Sequence, residues 1–538
     1  MRTRFRFGVV MLVLGGSVIG AAGGATDGSV REGGIFRVKV FPLDYVDPAL
    51  SYSIAGWALL DTTCARLLAY PDKPPPEALR FVPEVAADYP KISRNAKTYT
   101  FTLRRGFRFS DGTPVRASAF AHAINRALAL GEKTAAFQYL SDIVGAADVQ
   151  SGKATAAAGV LARGNTLTIR FTRPVLDFAA KTTMPFFCAV PPGLPSDPEG
   201  VSSFPSAGPY VITEYRPGER VTIRRNRFYG GTRPHHVDGF DVDLRPTTPA
   251  ETLDRVQRDE VDWAAVPDPA YFAPGRRLAE KYGVNRSRFF VKPGFTLEHI
   301  PFNTSRPLFR DNARLRRAVN YALDRRALAR VGRASPLAQR LTDQYLPSTL
   351  PGFRDAEIYP LERADLSRAR ALARGNLRGG KATLYVVDVP EAVAVAQLVK
   401  RQLAQIGLEV DVRALPVPAL FGRIAMPNEP WDLVIGANWA PDFIDPAGYL
   451  NLLFDGRLAG LSNVGWFDSP VFNRELRKAA RLTGPPRYRT YGELDVRLAR
   501  DAAPTIAISF FTQPTLVSKR VGCVVLRPAL DLTAVCLK

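Results

Sequence analysis

The residues of this 538-residue chain with the means to do chemistry are few: four cysteines, four histidines, and a late loop in which tryptophan, proline and aspartate crowd together. His122, His235, His236 and His299 are the imidazoles, and none stands at a metal-ligand spacing from a cysteine. The adjacent His235 and His236 sit in a Pro-rich turn and point to different sides, which reads as a solvated loop. Asp238, Asp241 and Asp243 follow an apparent strand and read as a solvent-facing edge, not as a carboxylate pair for acid–base work. Beyond the N-terminal segment there is no G-x-S-x-G elbow, no H-E-x-x-H, no phosphate loop and no G-x-G-x-x-G after a strand. The expectation is a protein that is not an enzyme and holds neither metal nor cofactor.

The remaining concentration of aromatic and acidic residues is Trp431-Asp432 and the run Trp439-Ala-Pro-Asp442-Phe-Ile-Asp445-Pro446, which follows the apolar strand Leu433 to Ile435. Tryptophan is costly to expose, and a carboxylate beside it in a Pro-bent loop suits a cleft. Read locally, the same loop also fits a tryptophan that simply anchors it to the core.

The first residues have the form of an export signal, with Arg2, Arg4 and Arg6 ahead of an apolar stretch from Phe7 to Ile19 and a small-residue zone to Ala25. The apolar stretch is shorter than the ~20 residues that span a bilayer. Residues 1–25 are therefore expected to be a signal peptide, and the protein extracytoplasmic, in the periplasm or at the cell surface. No Cys precedes Cys64, so no thiol lies at the end of the signal for lipid attachment. In an exported chain four cysteines permit two disulfides in three pairings. The expected pairs are Cys523 with Cys536, closing a short C-terminal loop for roughly 3 kcal/mol of chain entropy, and Cys64 with Cys188.

A formal net charge of +21 raises the question of nucleic acid. The basic residues are mostly arginine and scattered, without a lysine-rich tail or an aromatic-interleaved stripe. Weak attraction to anionic membrane and wall surfaces is the simpler reading, and no nucleic-acid partner is expected.

Which elements position these residues follows from periodicity. The chain is too long for one core. Tyr99, Phe101 and Leu103 alternate with threonines, and Leu167, Ile169 and Phe171 repeat the pattern, predicting paired strands. Between them Thr113 and Pro114 offer a helix start, followed by Phe120, Ile124 and Leu128. A second helix is expected from an N-cap at Asp311, with Leu315, Val319, Ala322 and Leu323 inward and Arg316, Arg317 and Arg326 in solvent. Strand 382–388, helix 391–406 ending at Gly407, and strand 408–413 make a βαβ unit with a parallel pair. The fold class is α/β.

Taken in order, segments across almost the whole mature chain resemble the peptide- and nickel-binding family of ABC importer solute-binding proteins. They run from Gly33-Gly34-Ile35-Phe36-Arg37 and Asp47-Pro48, through Pro83-Glu84-Val85-Ala86 and the long Tyr99 to Pro114 run, which is the most specific. Gly208-Pro209-Tyr210, Arg225-Asn226, Phe302-Asn303-Thr304, Arg317 to Asp324 and the Trp439 to Pro446 loop complete the series. The resemblance implies a two-lobe periplasmic-binding-protein-like fold with a hinge and an extra subdomain on the first lobe. It places lobe I at 31–50, 204–298 and 503–538, the extra subdomain at 51–203 and lobe II at 299–502.

The resemblance also implies a function: a monomer that captures short peptides in an interlobe cleft and delivers them to the permease subunits of an ABC importer. The same scaffold serves carriers of nickel chelates, haem or sugars, since fold alone does not determine the ligand. Asp442 matches the family position whose carboxylate receives a peptide's α-amino group, with Trp439 packed beside it. Backbone groups near Phe295 and from Gly436 to Asn438 are expected to pair with the extended ligand. Ala440 stands where some members carry a disulfide cysteine, and Cys523 and Cys536 are peculiar to this chain.

Overall fold

The computed structural model describes residues 31–40, 43–73, 76–266, 272–333, 339–524 and 532–538, so the expected signal peptide lies outside the described residues. Among these residues the strands gather into an eight-stranded sheet, a four-stranded sheet, a three-stranded sheet and two short pairs.

The eight-stranded sheet is the frame of the first lobe. Its spatial order is Phe289–Pro301, Thr505–Val517, Trp263–Ala265, Ile35–Lys39, Gly239–Asp243, Arg220–Arg225, Tyr210–Arg216, with Gln339–Leu341 also paired to Thr505–Val517. Gly239–Asp243 is therefore an interior strand, parallel to Ile35–Lys39 and antiparallel to Arg220–Arg225. This corrects the expected sheet edge. Asp243 is not simply in solvent: it pairs with Lys39, Arg245 and Arg255. Polar residues on an interior strand still alternate out of the sheet plane, so alternation alone does not distinguish edge from centre.

Two strands of 13 residues each, Phe289–Pro301 and Thr505–Val517, run antiparallel and leave the first lobe together. At 3.3 Å per residue each reaches roughly 40 Å, and just past the end of one of them Phe302 bridges Leu433 in the three-stranded sheet. These paired strands are the hinge segments between the lobes.

The four-stranded antiparallel sheet buries Tyr99, Phe101, Leu167 and Ile169 against the helix Ala117–Leu130. That helix begins three residues later than its sequence suggests. Asp111 instead captures the backbone N–H of Thr113 at 2.9 Å and its hydroxyl at 2.6 Å, and Pro114 bridges Arg108, so Thr113 closes a turn and caps nothing.

The second lobe is built on the parallel sheet Glu409–Leu415, Lys381–Val387, Leu433–Ile435, crossed by the helix Pro390–Ala404. Its neighbour, the helix Ala313–Ala322, is capped by Asn312, whose side chain accepts from the Leu315 N–H at 3.3 Å, and not by Asp311. Arg316 is buried, contrary to its expected exposure. Its guanidinium donates to the carbonyls of Ala502, at 2.9 Å, and Phe309. An arginine can enter a core where helix ends leave carbonyls without N–H partners. Burial lowers its pKa to about 10.

Cys64 is bonded to Cys188 and Cys523 to Cys536, with Cα atoms 5.2 and 4.9 Å apart.

Candidate functional site

Parallel strands place the loops from their carboxyl ends on one rim, where ligands of open α/β sheets bind. The loop after Leu433–Ile435 leaves through Gly436 at φ 106, where a Cβ would lie 2.6 Å from a methyl of Val387. Only glycine fits a positive φ at such an approach. The loop then returns to the hinge. Trp439 and Leu297 exchange both backbone hydrogen bonds, at 2.8 and 2.9 Å. The Trp439 indole N–H donates to the Gly448 carbonyl at 2.8 Å.

His299, on the same hinge strand, meets the Ala437 carbonyl through Nε2 at 2.9 Å and the Thr505 hydroxyl through Nδ1 at 2.9 Å. A carbonyl only accepts, so Nε2 carries the proton and Nδ1 accepts from Thr505. Burial pushes the His299 pKa down to about 4. Its contribution to stability is therefore complete above the unfolded pKa of 6.5 and lost as pH falls from there to about 4, for roughly 3 kcal/mol. Asp495 works in the opposite sense. Burial raises it from 3.8 to about 7 against hydrogen bonds from Tyr345, Gln344 and Leu346, so its share is complete below 3.8 and lost as pH rises through 7. Between pH 4 and 7 the two slopes oppose each other. His299→Gln should make unfolding free energy rise as the solution is acidified, and Asp495→Asn should make it fall more steeply than in the parent; urea titrations at several pH values measure both.

Downstream in the loop, Asp442 faces the extra subdomain. The Tyr52 hydroxyl donates to its Oδ1 at 2.7 Å, and the Tyr139 hydroxyl donates to its Oδ2. Phe186 stacks on both tyrosines, with ring centroids 6.3 Å from Tyr52 and 6.0 Å from Tyr139, and Trp57 meets Tyr52 and Phe186 edge-on. The next residue, Phe443, is buried in the hydrophobic core of the extra subdomain, and Tyr70 donates to the Ile444 carbonyl at 2.8 Å. Burial, reinforced by the Asp442 carboxylate, raises Tyr52 to about 12 and Tyr139 further still. Both tyrosines are thus neutral donors at physiological pH. A carboxylate has about four acceptor sites, so two hydroxyls leave capacity for a further donor. An aromatic wall beside it favours a cation.

Asp445, three residues on, receives the Arg487 guanidinium through Nε at 3.0 Å and through Nη2 at 2.5 Å, with both side chains buried. This pair holds the loop from below.

Of the residues singled out by sequence, Asp442 and Trp439 share the loop, but the indole is turned toward the second-lobe core. Phe295 lies where the hinge strands lose register between Pro293 and Leu297, and its carbonyl accepts from the Tyr449 hydroxyl at 2.7 Å. Asn438 is exposed. Trp431 is fully buried, while Asp432 accepts from the Thr383 N–H at 2.8 Å and pairs with Arg306 at 2.9 Å, so neither faces the loop's partners. Sequence reasoning missed Tyr52, Tyr139 and Phe186, which come to Asp442 from more than 250 positions away and carry no local pattern. A depression of about 790 Å³ around Tyr321, Asp343 and Tyr359 shares no residue with this loop. Among the described residues no group of His, Cys, Asp and Glu can hold a metal ion, and no helix is long and apolar enough to cross a membrane.

Comparison with known proteins bears on the whole architecture. The chain is 24% identical over 448 residues to the oligopeptide-binding protein OppA of Bacillus subtilis (strain 168), covering 78% of each. It is 23% identical over 470 residues to the dipeptide-binding protein of Escherichia coli (strain K12), covering 81% of this chain and 82% of that one. Among solved structures, it superposes on clavulanic acid biosynthesis oligopeptide binding protein 2 with a TM-score of 0.79 and 25% identity, covering 94% of this chain and 96% of the other. The unliganded open form of the murein tripeptide binding protein MppA gives a TM-score of 0.76 at 19% identity, with 94% and 98% covered. The model of the bacterial extracellular solute-binding proteins, family 5, matches residues 80–460, and with that match over most of its length the chain belongs to this family.

Proposed function

We propose that the protein captures short peptides in the cleft between its lobes and delivers them, outside the cytoplasm, to an ABC importer. The observation that carries this reading is the Asp442 carboxylate, offered by the second lobe to the neutral hydroxyls of Tyr52 and Tyr139 and the aromatic wall behind them. A peptide's N-terminal ammonium that loses water as the lobes close over it needs an anionic partner. Trp439 holds that partner's loop to the hinge strand, so its role is to place Asp442. The Trp439 backbone is already paired, and the carbonyls of Phe295 and Ala437 already accept. The ligand's extended backbone is therefore assigned to the exposed Asn438 segment.

The lobe boundaries proposed are 31–50, 204–298 and 503–538 for the first lobe, 51–203 for the extra subdomain and 299–502 for the second. Two of these boundaries, 298/299 and 502/503, lie within or beside the paired hinge strands, where a small change in φ and ψ moves one lobe against the other.

The test is calorimetry with unmodified di- to pentapeptides and their N-acetylated counterparts. Free-amine peptides should bind, raise the melting temperature by mass action, and contract the molecule in solution scattering. Equal binding of acetylated peptides would remove the amine role of Asp442. Absence of peptide binding altogether would move the ligand to a nickel chelate, haem or an oligosaccharide.

A further inference from the structure

The chain carries a formal net charge of +21. At the end of the second lobe away from the Asp442 loop, three segments converge. Arg378 donates to the Arg310 carbonyl at 2.6 Å, Asn312 to the Asn376 carbonyl at 2.9 Å, and Arg370 to the Gln405 carbonyl at 3.0 Å. The Glu409 N–H donates to the Gly380 carbonyl at 2.7 Å. Arg310, Arg314, Arg370, Arg374, Lys381 and Arg401 are exposed on these segments, and none of the six has an ion-pair partner among the described residues. The acidic residues of the three segments at this end are Asp311 and Glu409.

Local stability explains only part of this. Arg370 and Arg374 at the end of the helix Leu366–Ala373, and Arg401 in the last turn of Pro390–Ala404, complement helix dipoles. Arg314 does the reverse: it lies in the first turn of Ala313–Ala322, where a cation is disfavoured. Lys381 opens a strand and Arg310 lies in a turn, where no dipole calls for either.

The geometry points to a docking surface for a phosphate-bearing polyanionic polymer on this end of the second lobe. Five of the six cations are arginine, whose planar fork matches phosphate oxygens in pairs. The large apolar side chains that the protein does expose, such as Ile54, Phe421, Met426 and Leu461, lie outside these segments, so nothing here inserts among lipid headgroups. The strand Lys381–Val387 separates the surface from the ligand rim by roughly 20 Å. A bound polymer therefore leaves the cleft open, and the inference holds whatever the cleft carries.

The test uses the full chain and long-chain inorganic polyphosphate, with affinity followed against salt concentration. The triple variant R310S/R374S/K381S should lose at least about tenfold in affinity at ~0.1 M salt, and its log K against log salt slope should flatten by about two. A control of equal charge change at dispersed positions of the extra subdomain, R94S/R116S/K153S, should lose less than about threefold. R310K/R374K, which keeps charge but not the fork, should fall between the parent and the triple variant, and covers the case in which the serine variant fails to fold. Equal losses in both triple variants would reduce the effect to net charge and overturn the proposal. So would tight binding of phosphatidylglycerol vesicles that is lost in the same variant, because the surface would then be a membrane contact.

Discussion

Replacing Asp442 by asparagine is expected to weaken the binding of a free-amine peptide by about 2–4 kcal/mol, the cost of truncating one partner of a desolvated, hydrogen-bonded charge pair. The fold should lose much less. Asp442 makes its side-chain hydrogen bonds to Tyr52 and Tyr139, and an asparagine carbonyl still accepts from one of them. Phe443 and the Asp445–Arg487 pair keep the loop in place independently of the carboxylate. Two controls separate charge from shape. Tyr139→Phe removes a donor and leaves the anion, so it should reduce peptide affinity less than the loss of charge does. An N-acetylated peptide, which brings no cation, should bind the parent and the Asp442→Asn variant alike. Calorimetry of the four combinations gives the coupling between amine and carboxylate directly. A coupling near zero would mean that the carboxylate serves only to bridge the two tyrosines.

Breaking the Asp445–Arg487 pair should have the largest effect on stability of any single substitution in the site. Both side chains are buried, and Asp445 also accepts from the Ala447 N–H at 2.9 Å. Burial works against the charge on Arg487, and the Asp445 carboxylate outweighs it, holding the guanidinium firmly protonated. Arg487→Met leaves that carboxylate buried without its cation, which costs about 3–5 kcal/mol. Replacing both partners with apolar residues of similar volume should cost less than either single change, because no uncompensated charge is left behind. Urea unfolding of the two single variants and the double variant measures this. Because Asp445 lies three residues from Asp442, the Arg487→Met variant should also bind peptide more weakly in conditions where it remains folded. Full peptide affinity in a destabilised variant would show that the loop is placed by Phe443 and Trp439 alone.

How much of this was legible beforehand differs from element to element. The alternations Tyr99/Phe101 and Leu167/Ile169 predicted a strand pair, and the structure registers them directly opposite one another. The 382–413 stretch predicted a parallel pair around a helix, found at Lys381–Val387 and Glu409–Leu415. Both are local: periodicity follows from burying one face of a single element, and each element carries that signal in itself. Caps were less legible. Asp111 competed for Thr113, and Asn312 displaced Asp311, because several short polar side chains in a row can each satisfy the first free N–H groups and backbone geometry chooses among them.

The site divides along the same line. From its own neighbourhood the sequence marked Asp442 and Trp439 as residues of interest, since a carboxylate and an indole in a Pro-bent loop are conspicuous wherever the chain goes. It had no means of assigning Tyr52, Tyr139 and Phe186 to Asp442, or Arg487 to Asp445, because those partners are chosen by how separate units pack. Arg316 makes the same point in a single residue: its type predicts solvent, yet it is buried because the carbonyls of Phe309 and Ala502 meet there. What the sequence by itself determined was the α/β class, the order of elements and the loop that bears the carboxylate, all properties of contiguous residues. Only the tertiary structure decided which hydroxyls face that carboxylate, which arginine steadies its loop and where the surplus cations gather, because a side chain's electrostatic partners are whatever distant segments bring within hydrogen-bonding reach.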